Sequence, residues 1–391
     1  MREKNLIDLI FFVARNSNLF SSPFLIWKYL KNIKIILWDH VKNKIPIYLL
    51  GFQVNQSSKQ SSIEEFLEFS IRIDYLDLDD KLEIRSEICQ IILLLWKENL
   101  FKNFNNNACT IKYLFHLSND VRIVMEFLIE NVEKLKTIRR IITNKNLASK
   151  DDSYFYTNQI NKIREGIVEK NQLIIIFGLL LIDISKSNSK IFYEDEIIDS
   201  IILMLNYVIF ILLNPDKTEF FNENSKDYFY WEPKIILTKF IIVFKNLSSD
   251  IFIEAISQEE RYFSTNMLIY FLNLTNTNAF FTGKLLEKFK IIIEKVLTSR
   301  QLSVRNHIDI NEVPERFLDP IMNTIMTDPI ALPTSQIIVD KKVIKRHLIN
   351  DLRDPFNRQP VTYQDLIPMP HLKSEIERWI FENTKHHKSN S

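Results

Sequence analysis

Cysteine is almost missing from this 391-residue chain. With only Cys89 and Cys109 present, neither a disulfide framework nor a four-thiolate zinc site can be built. A reducing compartment fits that poverty. Glycine is scarcer than its usual share, at four residues, so the closely spaced glycine turns of an all-β fold are lacking. Charge of one sign is lacking too. A formal net charge of +1 gives no electrostatic reason for nucleic acid or an acidic membrane as the main partner. Long hydrophobic runs are missing: LIIIFGLLLI at 173–182 and SIILMLNYVIFILL at 200–213 fall short of the roughly 18–20 residues a membrane span needs, and read as buried helices. The opening MREKNLIDLIFFVARN breaks its apolar run at Asp8 and carries no small-residue cleavage site, which excludes a secretory signal from the reading.

What is present is ordinary globular material, 46% hydrophobic and 25% charged, enough for two or three folding units. The prolines divide it. Four of the twelve are spread over the first 313 residues, and eight lie between Pro314 and Pro370. Residues 1–300 show apolar residues at helical spacing in segments of 12–20 residues, separated by polar stretches such as 53–62, 102–108 and 143–153. Ile84, Ile88, Ile91 and Leu95 mark one core face. Pro233 stands near the first turn of another helix, which closes on lysine. Antiparallel helices stacked in order follow, as an elongated α-solenoid, although no clean repeat period supports a repeat. A linker is expected at 301–313, a small domain at 314–385 and a polar tail at 386–391.

The small domain reads loop, strand, helix, loop, helix. Ile337, Ile338 and Val339 suggest a short strand. Asp340 is a good N-cap for a helix burying Val343, Ile344, His347 and Leu348. Leu372, Ile376, Trp379 and Ile380 make the stripe of a second helix. Residues 311–391 hold 11 basic and 11 acidic side chains, a net charge of zero, which suits protein docking better than nucleic-acid binding.

Two phrases in this region, FLDPIMNTIMTDPIALP at 317–333 and DPFNRQP at 354–360, are specific when taken together. They resemble the U-box, in the version carried by ubiquitin-chain elongation factors of the ubiquitin-fusion-degradation type. The likeness extends upstream, more faintly, through DKLEIRSEICQIILLLW at 80–96, ILMLNYVIFIL at 202–212, YWEPKIIL at 230–237 and EAISQEERYF at 254–263. The implied fold is mostly α: an armadillo-like helical body followed by a small α+β domain resembling a RING without its zinc ions. Consistent with that, residues 311–391 contain no cysteine, and the imidazoles in or near them cannot form a tetrahedral site. No metal and no cofactor are expected. Loop-holding roles fall to Asp319, Asp328, Asp340, Lys341, Arg346, Asp354 and Arg358, with Pro329 and His347 as further structural residues.

The resemblance implies a ubiquitin ligase that binds a charged ubiquitin-conjugating enzyme and acts by positioning, with no nucleophile of its own. Ile321 and Asn323 of a first loop, and Pro355 and Phe356 of a second, are its implied docking residues. Arg358 stands where the family places a cation that touches both conjugating enzyme and ubiquitin. Plainer roles stay open: Ile321 as core, Phe356 packed inward, Arg358 as a structural ion-pair partner. Two departures are visible, since an aromatic is common at Asn323 and an asparagine at Met369. Cys89 reads as buried and inert, and Cys109, in a polar loop, as more exposed. Implied partners are the conjugating enzyme, ubiquitin, ubiquitinated substrates and a hexameric AAA-type segregase ATPase. A cytoplasmic and nuclear monomer is expected, without nucleic acid. Family members are usually far longer, which puts shuttle-protein binding in question. The rival is a non-enzymatic helical adaptor with a silent U-box; a transport-like or membrane-associated solenoid has only the helical body to recommend it.

Overall fold

The computed structural model describes residues 67–73, 76–97, 107–145, 150–213, 230–259, 262–276, 284–304 and 313–389, with isolated positions at 28, 31, 32, 35 and 64. The body is helical: α1 (Leu78–Lys97), α2 (Ala108–Lys145), α3 (Lys150–Ser187), α4 (Ile198–Leu213), α5 (Pro233–Asn246), α6 (Asp250–Ser257), α7 (Thr265–Asn276) and α8 (Lys284–Val304). A short 3-10 turn at Ser189–Tyr193 leads into α4. Among the described residues the chain is mostly α, as expected, with its small sheet in the C-terminal region.

The two longest helices exceed the expected segments. Each of α2 and α3 has 38 residues, about 57 Å at 1.5 Å per residue, and they pack against one another across a four-residue connection. The polar stretch at 143–153 separates them, as expected, but over fewer residues, since α2 ends at Lys145 and α3 begins at Lys150. It contains no proline or glycine, so the helices run into it from both sides and leave only 146–149, which lie outside the described residues. Packing then proceeds inward. Helix α3 meets α1, α2 and α5; α4 meets α2, α5 and α6; α8 meets α5, α6 and α7. Ile84, Ile88 and Ile91 are buried in this single core, while the side chain of Leu95 lies outside the described ones. Pro233 takes the first-turn position of α5, as its sequence context predicts. No described helix is long and apolar enough to cross a membrane.

Glycine is spent where helices touch. A Cβ on Gly178 of α3 would lie 3.2 Å from Lys239 Cβ and 3.5 Å from the Phe240 ring on α5, so its absence sets that close approach. Two arginines lock the body from inside. Arg85 is fully buried: its Nη1 reaches both oxygens of buried Asp120 at 2.9 and 2.7 Å, and its Nε donates to Ser70 O. Arg300 donates to the carbonyls of Ser257, Glu259 and Phe263, satisfying the backbone that follows α6.

Both cysteines are accounted for. Cys89 is buried with its Sγ 3.1 Å from the Tyr113 hydroxyl, and burial pushes its thiol up to about 12. Cys109 is more exposed than Cys89, as expected, but lies in the first turn of α2 rather than in a loop; desolvation, then Glu68 and Glu64, push its thiol up to about 12. Desolvation thus favours the neutral thiol at both positions.

The C-terminal unit is a three-stranded antiparallel sheet in the order β2, β1, β3, with β1 Pro329–Ala331, β2 Ile338–Asp340 and β3 Ile367–Pro368, plus helices α9 (Lys341–Asn350) and α10 (Pro370–Ser389). Two small cores support it. Ile330, Leu332, Val339, Ile344, Leu348 and Val361 form one; Val313, Phe317, Met326 and Ile376 form the other, with Trp379 packed edge-on to Phe317 at 6.0 Å. Helix α8 ends at Val304, Val313 belongs to the second core, and α10 runs to Ser389, with no helix breaker after Pro370.

Candidate functional site

The two phrases singled out in the sequence fold into the same loop twice. In loop 1, residues 319–324, Asp319 N donates to Thr324 O and Asn323 N donates to Asp319 O, both at 2.8 Å. In loop 2, residues 354–359, Asp354 N donates to Gln359 O and Arg358 N to Asp354 O, also at 2.8 Å. Each loop begins Asp-Pro, which holds the second position near φ −65°. Single antiparallel bridges close them at their bases, Leu318 with Ile325 and Arg353 with Pro360. The fifth position of each is left-handed, with φ 54° at Asn323 and 63° at Arg358.

The starting aspartates are the staples. Both are fully buried. Asp319 Oδ1 accepts from Ile321 N at 2.9 Å and Met322 N at 2.7 Å, and its Oδ2 accepts from Asp340 N at 2.7 Å. Asp354 Oδ1 accepts from Phe356 N at 2.9 Å, and its Oδ2 from Thr334 Oγ1 at 2.6 Å and Ser335 N at 3.2 Å. One oxygen therefore shapes the loop, and the other ties it to the β1–β2 hairpin: loop 1 at the end of β2, loop 2 at the connecting turn. Three-residue strands span about 10 Å, which sets the separation of the two anchorages.

Asp340 links both roles. Its Oδ1 caps α9 through Lys342 N at 2.9 Å, as the sequence predicts, and its Oδ2 accepts from Thr327 N, Thr327 Oγ1 and Asp328 N. Asp328 bridges Lys341 at 3.3 Å and Lys373 at 3.1 Å, joining the start of α9 to α10. Pro329 opens β1, and its carbonyl accepts from Met369 N. His347 lies within 2.9 Å of Arg353 O through Nε2, securing the approach to loop 2. Arg346 does not hold a loop. Its guanidinium pairs with Asp199 of the helical body instead.

Between the staples, the loops present apolar side chains outward. Ile321 is 42% exposed and Phe356 40%, so neither is core; Met322 is exposed and Pro355 half-buried. Arg358 stands out with its side chain 69% exposed and Nη1 3.4 Å from Asp351. The two departures from pattern cost the fold little. Asparagine is among the few residues that tolerate the left-handed φ found at 323, and Met369 contributes a backbone donor that any non-proline residue supplies. Among the described residues, no group of three or more His, Cys, Asp or Glu side chains is arranged to hold a metal ion.

A U-box domain profile matches residues 313–385. A profile of the ubiquitin elongating factor core matches residues 1–297, well over half of the chain. The chain belongs to the ubiquitin elongating factor family. The ubiquitin conjugation factor E4 of Schizosaccharomyces pombe is 26% identical over 325 residues, covering 80% of this chain and 32% of that protein. The E4 ubiquitin-protein ligase UFD2 of Saccharomyces cerevisiae is 26% identical over 352 residues, covering 86% and 35%. The ubiquitin conjugation factor E4 ufd-2 of Caenorhabditis elegans is 29% identical over 201 residues, covering 51% and 20%. The chain thus spans about a third of the length of the first two relatives.

Met322 is exposed beside Ile321 and Asp351 pairs with Arg358, two residues next to the candidate site that sequence reasoning did not select. Met322 carries the one available signal, as the neighbour of Ile321 in a loop pinned at both ends.

The staples also predict a pH response. Burial acts to raise the Asp354 carboxyl, but the Thr334 hydroxyl and the loop amides outweigh it and leave it below the usual value. Asp328 is lowered in the same way, with burial opposed by Lys373 and Lys341. A carboxylate with a depressed folded-state pKa stabilises the fold above its unfolded value of about 3.9, and that contribution is lost as the pH falls through the folded value. The U-box contribution from these groups should therefore stay level above about pH 5 and decline below about pH 4. Amide exchange in residues 313–385, measured across that range, checks this.

Proposed function

We propose that this chain is a ubiquitin-protein ligase of the chain-elongating type, whose loops 1 and 2 dock a ubiquitin-charged conjugating enzyme. The observation that carries the reading is the pair of loops held rigid from behind by buried carboxylates while Ile321, Met322 and Phe356 face solvent. Rigid backbone with exposed apolar side chains is what a docking surface needs, because little entropy is lost on association. Ile321, Asn323, Pro355 and Phe356 form the contact, and Arg358 braces the docked enzyme and its ubiquitin. Catalysis is positioning: the thioester carbonyl carbon, held by the conjugating enzyme, is attacked by a lysine amine, the thiolate leaves, and an isopeptide bond forms. This transfer needs no nucleophile from the chain itself.

The names of the relatives, ubiquitin conjugation factor and E4 ubiquitin-protein ligase, support ubiquitin and ubiquitinated substrates as partners. A segregase ATPase of the AAA type and a cytoplasmic and nuclear setting belong to the same proposal by family likeness. The test is chain synthesis with activating enzyme, a panel of conjugating enzymes and ubiquitin. Polyubiquitin is expected with at least one conjugating enzyme, and Ile321→Ala should lower the rate about tenfold, the loss of ~1.4 kcal/mol of docking. If no conjugating enzyme supports chains, the ligase reading fails and the adaptor reading replaces it.

A further inference from the structure

Helix α9 has two working faces. Ile344 and Leu348 enter the U-box core, while Lys342, Lys345 and Arg346, at i, i+3 and i+4, share another face. That basic face rests on the helical body. Lys345 Nζ is 2.7 Å from Glu196 Oε1, Lys342 Nζ is 3.3 Å from Asp199 Oδ1, and Arg346 pairs with Asp199 Oδ2. The partners are 143 to 149 residues apart in sequence, so these contacts join two units rather than neighbouring turns. Asp199 lies in the first turn of α4, where a carboxylate is favoured by the helix dipole. Tyr363, in the segment after loop 2, donates its hydroxyl to Lys345 O at 3.1 Å. Burial, and then the charge of Glu196, push its phenol up to about 12. With α9 seated, Ile321 and Phe356 remain exposed, so the contact leaves the docking loops open.

We propose that Glu196 and Asp199 form a seat on the body for the U-box's own helix α9, and that this seat fixes the direction in which loops 1 and 2 face. A conjugating enzyme carried on the loops is then aimed at a constant region of space relative to the body. The inference rests on the ligase reading for its consequence. A loosely tethered U-box would spread the thioester over a larger volume and dilute it near any substrate the body holds. The seat is ionic and partly exposed, so it is also releasable: screening shortens from about 8 Å at 0.15 M salt to about 3 Å at 1 M.

Spin labels at Val168→Cys and Ser374→Cys in a Cys109→Ser background report the spacing between body and U-box in the full chain; both sites are exposed and Cys89 is buried. Dipolar spectroscopy should give one narrow distance at 0.15 M salt and a broad distribution at 1 M. Asp199→Lys should broaden it at low salt, and adding Lys342→Glu with Arg346→Glu should restore the narrow peak. Discharge of a charged conjugating enzyme to free lysine should stay within about twofold in every variant, while chain extension on a ubiquitin-fusion substrate should fall about fivefold in Asp199→Lys and recover in the charge swap. A broad wild-type distribution at 0.15 M, or one unchanged by Asp199→Lys, overturns the seat. A parallel loss of free-lysine discharge in Asp199→Lys overturns its role as a positioning device. Absence of discharge from the wild type with every conjugating enzyme overturns the ligase reading, while the distance data still decide the seat.

Discussion

Replacing Asp319 with alanine should cost the U-box a large share of its stability. Three backbone donors, on Ile321, Met322 and Asp340, converge on a carboxylate that is fully buried. Hydrogen bonds to charged groups are worth about 1.5–3 kcal/mol each, and a donor left unpaired in the interior costs about 1–3 kcal/mol. Asp340 N is the buried donor, while the two loop amides can turn to water, so a loss of ~3–5 kcal/mol is expected. A unit of some 75 residues has only about 4–11 kcal/mol to lose. Amide exchange of residues 317–326 and 338–342 should accelerate towards the unfolded rate while the helical body keeps its protection. Asp319→Asn, which keeps one acceptor, should fall between. A shift below about 1 kcal/mol would mean that the loop is held mainly by its backbone bonds.

Arg358→Ala should act in the opposite way, sparing the fold and removing activity. The side chain is mostly exposed and meets Asp351 only at 3.4 Å, so its loss should change stability by no more than about 0.5 kcal/mol. Discharge of the charged conjugating enzyme is expected to slow by tenfold or more, at least about 1.4 kcal/mol of transition-state stabilisation. Binding of the uncharged enzyme should change much less. The left-handed φ of 63° supplies a useful control. Glycine relieves the backbone at this position and alanine does not, so Arg358→Gly should be the more stable variant by up to about 1 kcal/mol and equally inactive. An Arg358→Ala protein as fast as the wild type would remove this arginine from the mechanism and leave the docking proposal standing.

Much of the architecture was readable because it is periodic. The stripe through Ile84, Ile88 and Ile91, the proline opening α5, and the Asp340 cap depend on local spacing, and they fold as that spacing requires. The lengths of α2 and α3 were not readable, since polar residues at 143–153 resemble a loop, yet without proline or glycine they let α2 run to Lys145 and α3 start at Lys150. At the site, Asp319, Asp340 and Asp354 were recognisable as polar residues that needed partners, but the partners were not. Asp319 finds Asp340 N and Asp354 finds Thr334 and Ser335 through tertiary contacts that leave no spacing signal. Arg346 shows the same limit from the other side, because nothing near it in sequence indicates Asp199. The left-handed positions were hidden as well. With no glycine in residues 311–391, Asn323 and Arg358 carry that conformation without the usual marker.

The repeated loop has a consequence for how such a domain can change over time. In both copies, folding is written on the first residue and on the fifth, an aspartate and a left-handed position, whereas the third side chain, Ile321 or Phe356, is exposed and its residue is tied to the scaffold through its backbone amide. Stability and partner choice are therefore carried by different letters of the same six-residue word. Substitutions in the middle can drift towards a new conjugating enzyme without first unsettling the scaffold, and each loop is free to do so independently of its twin.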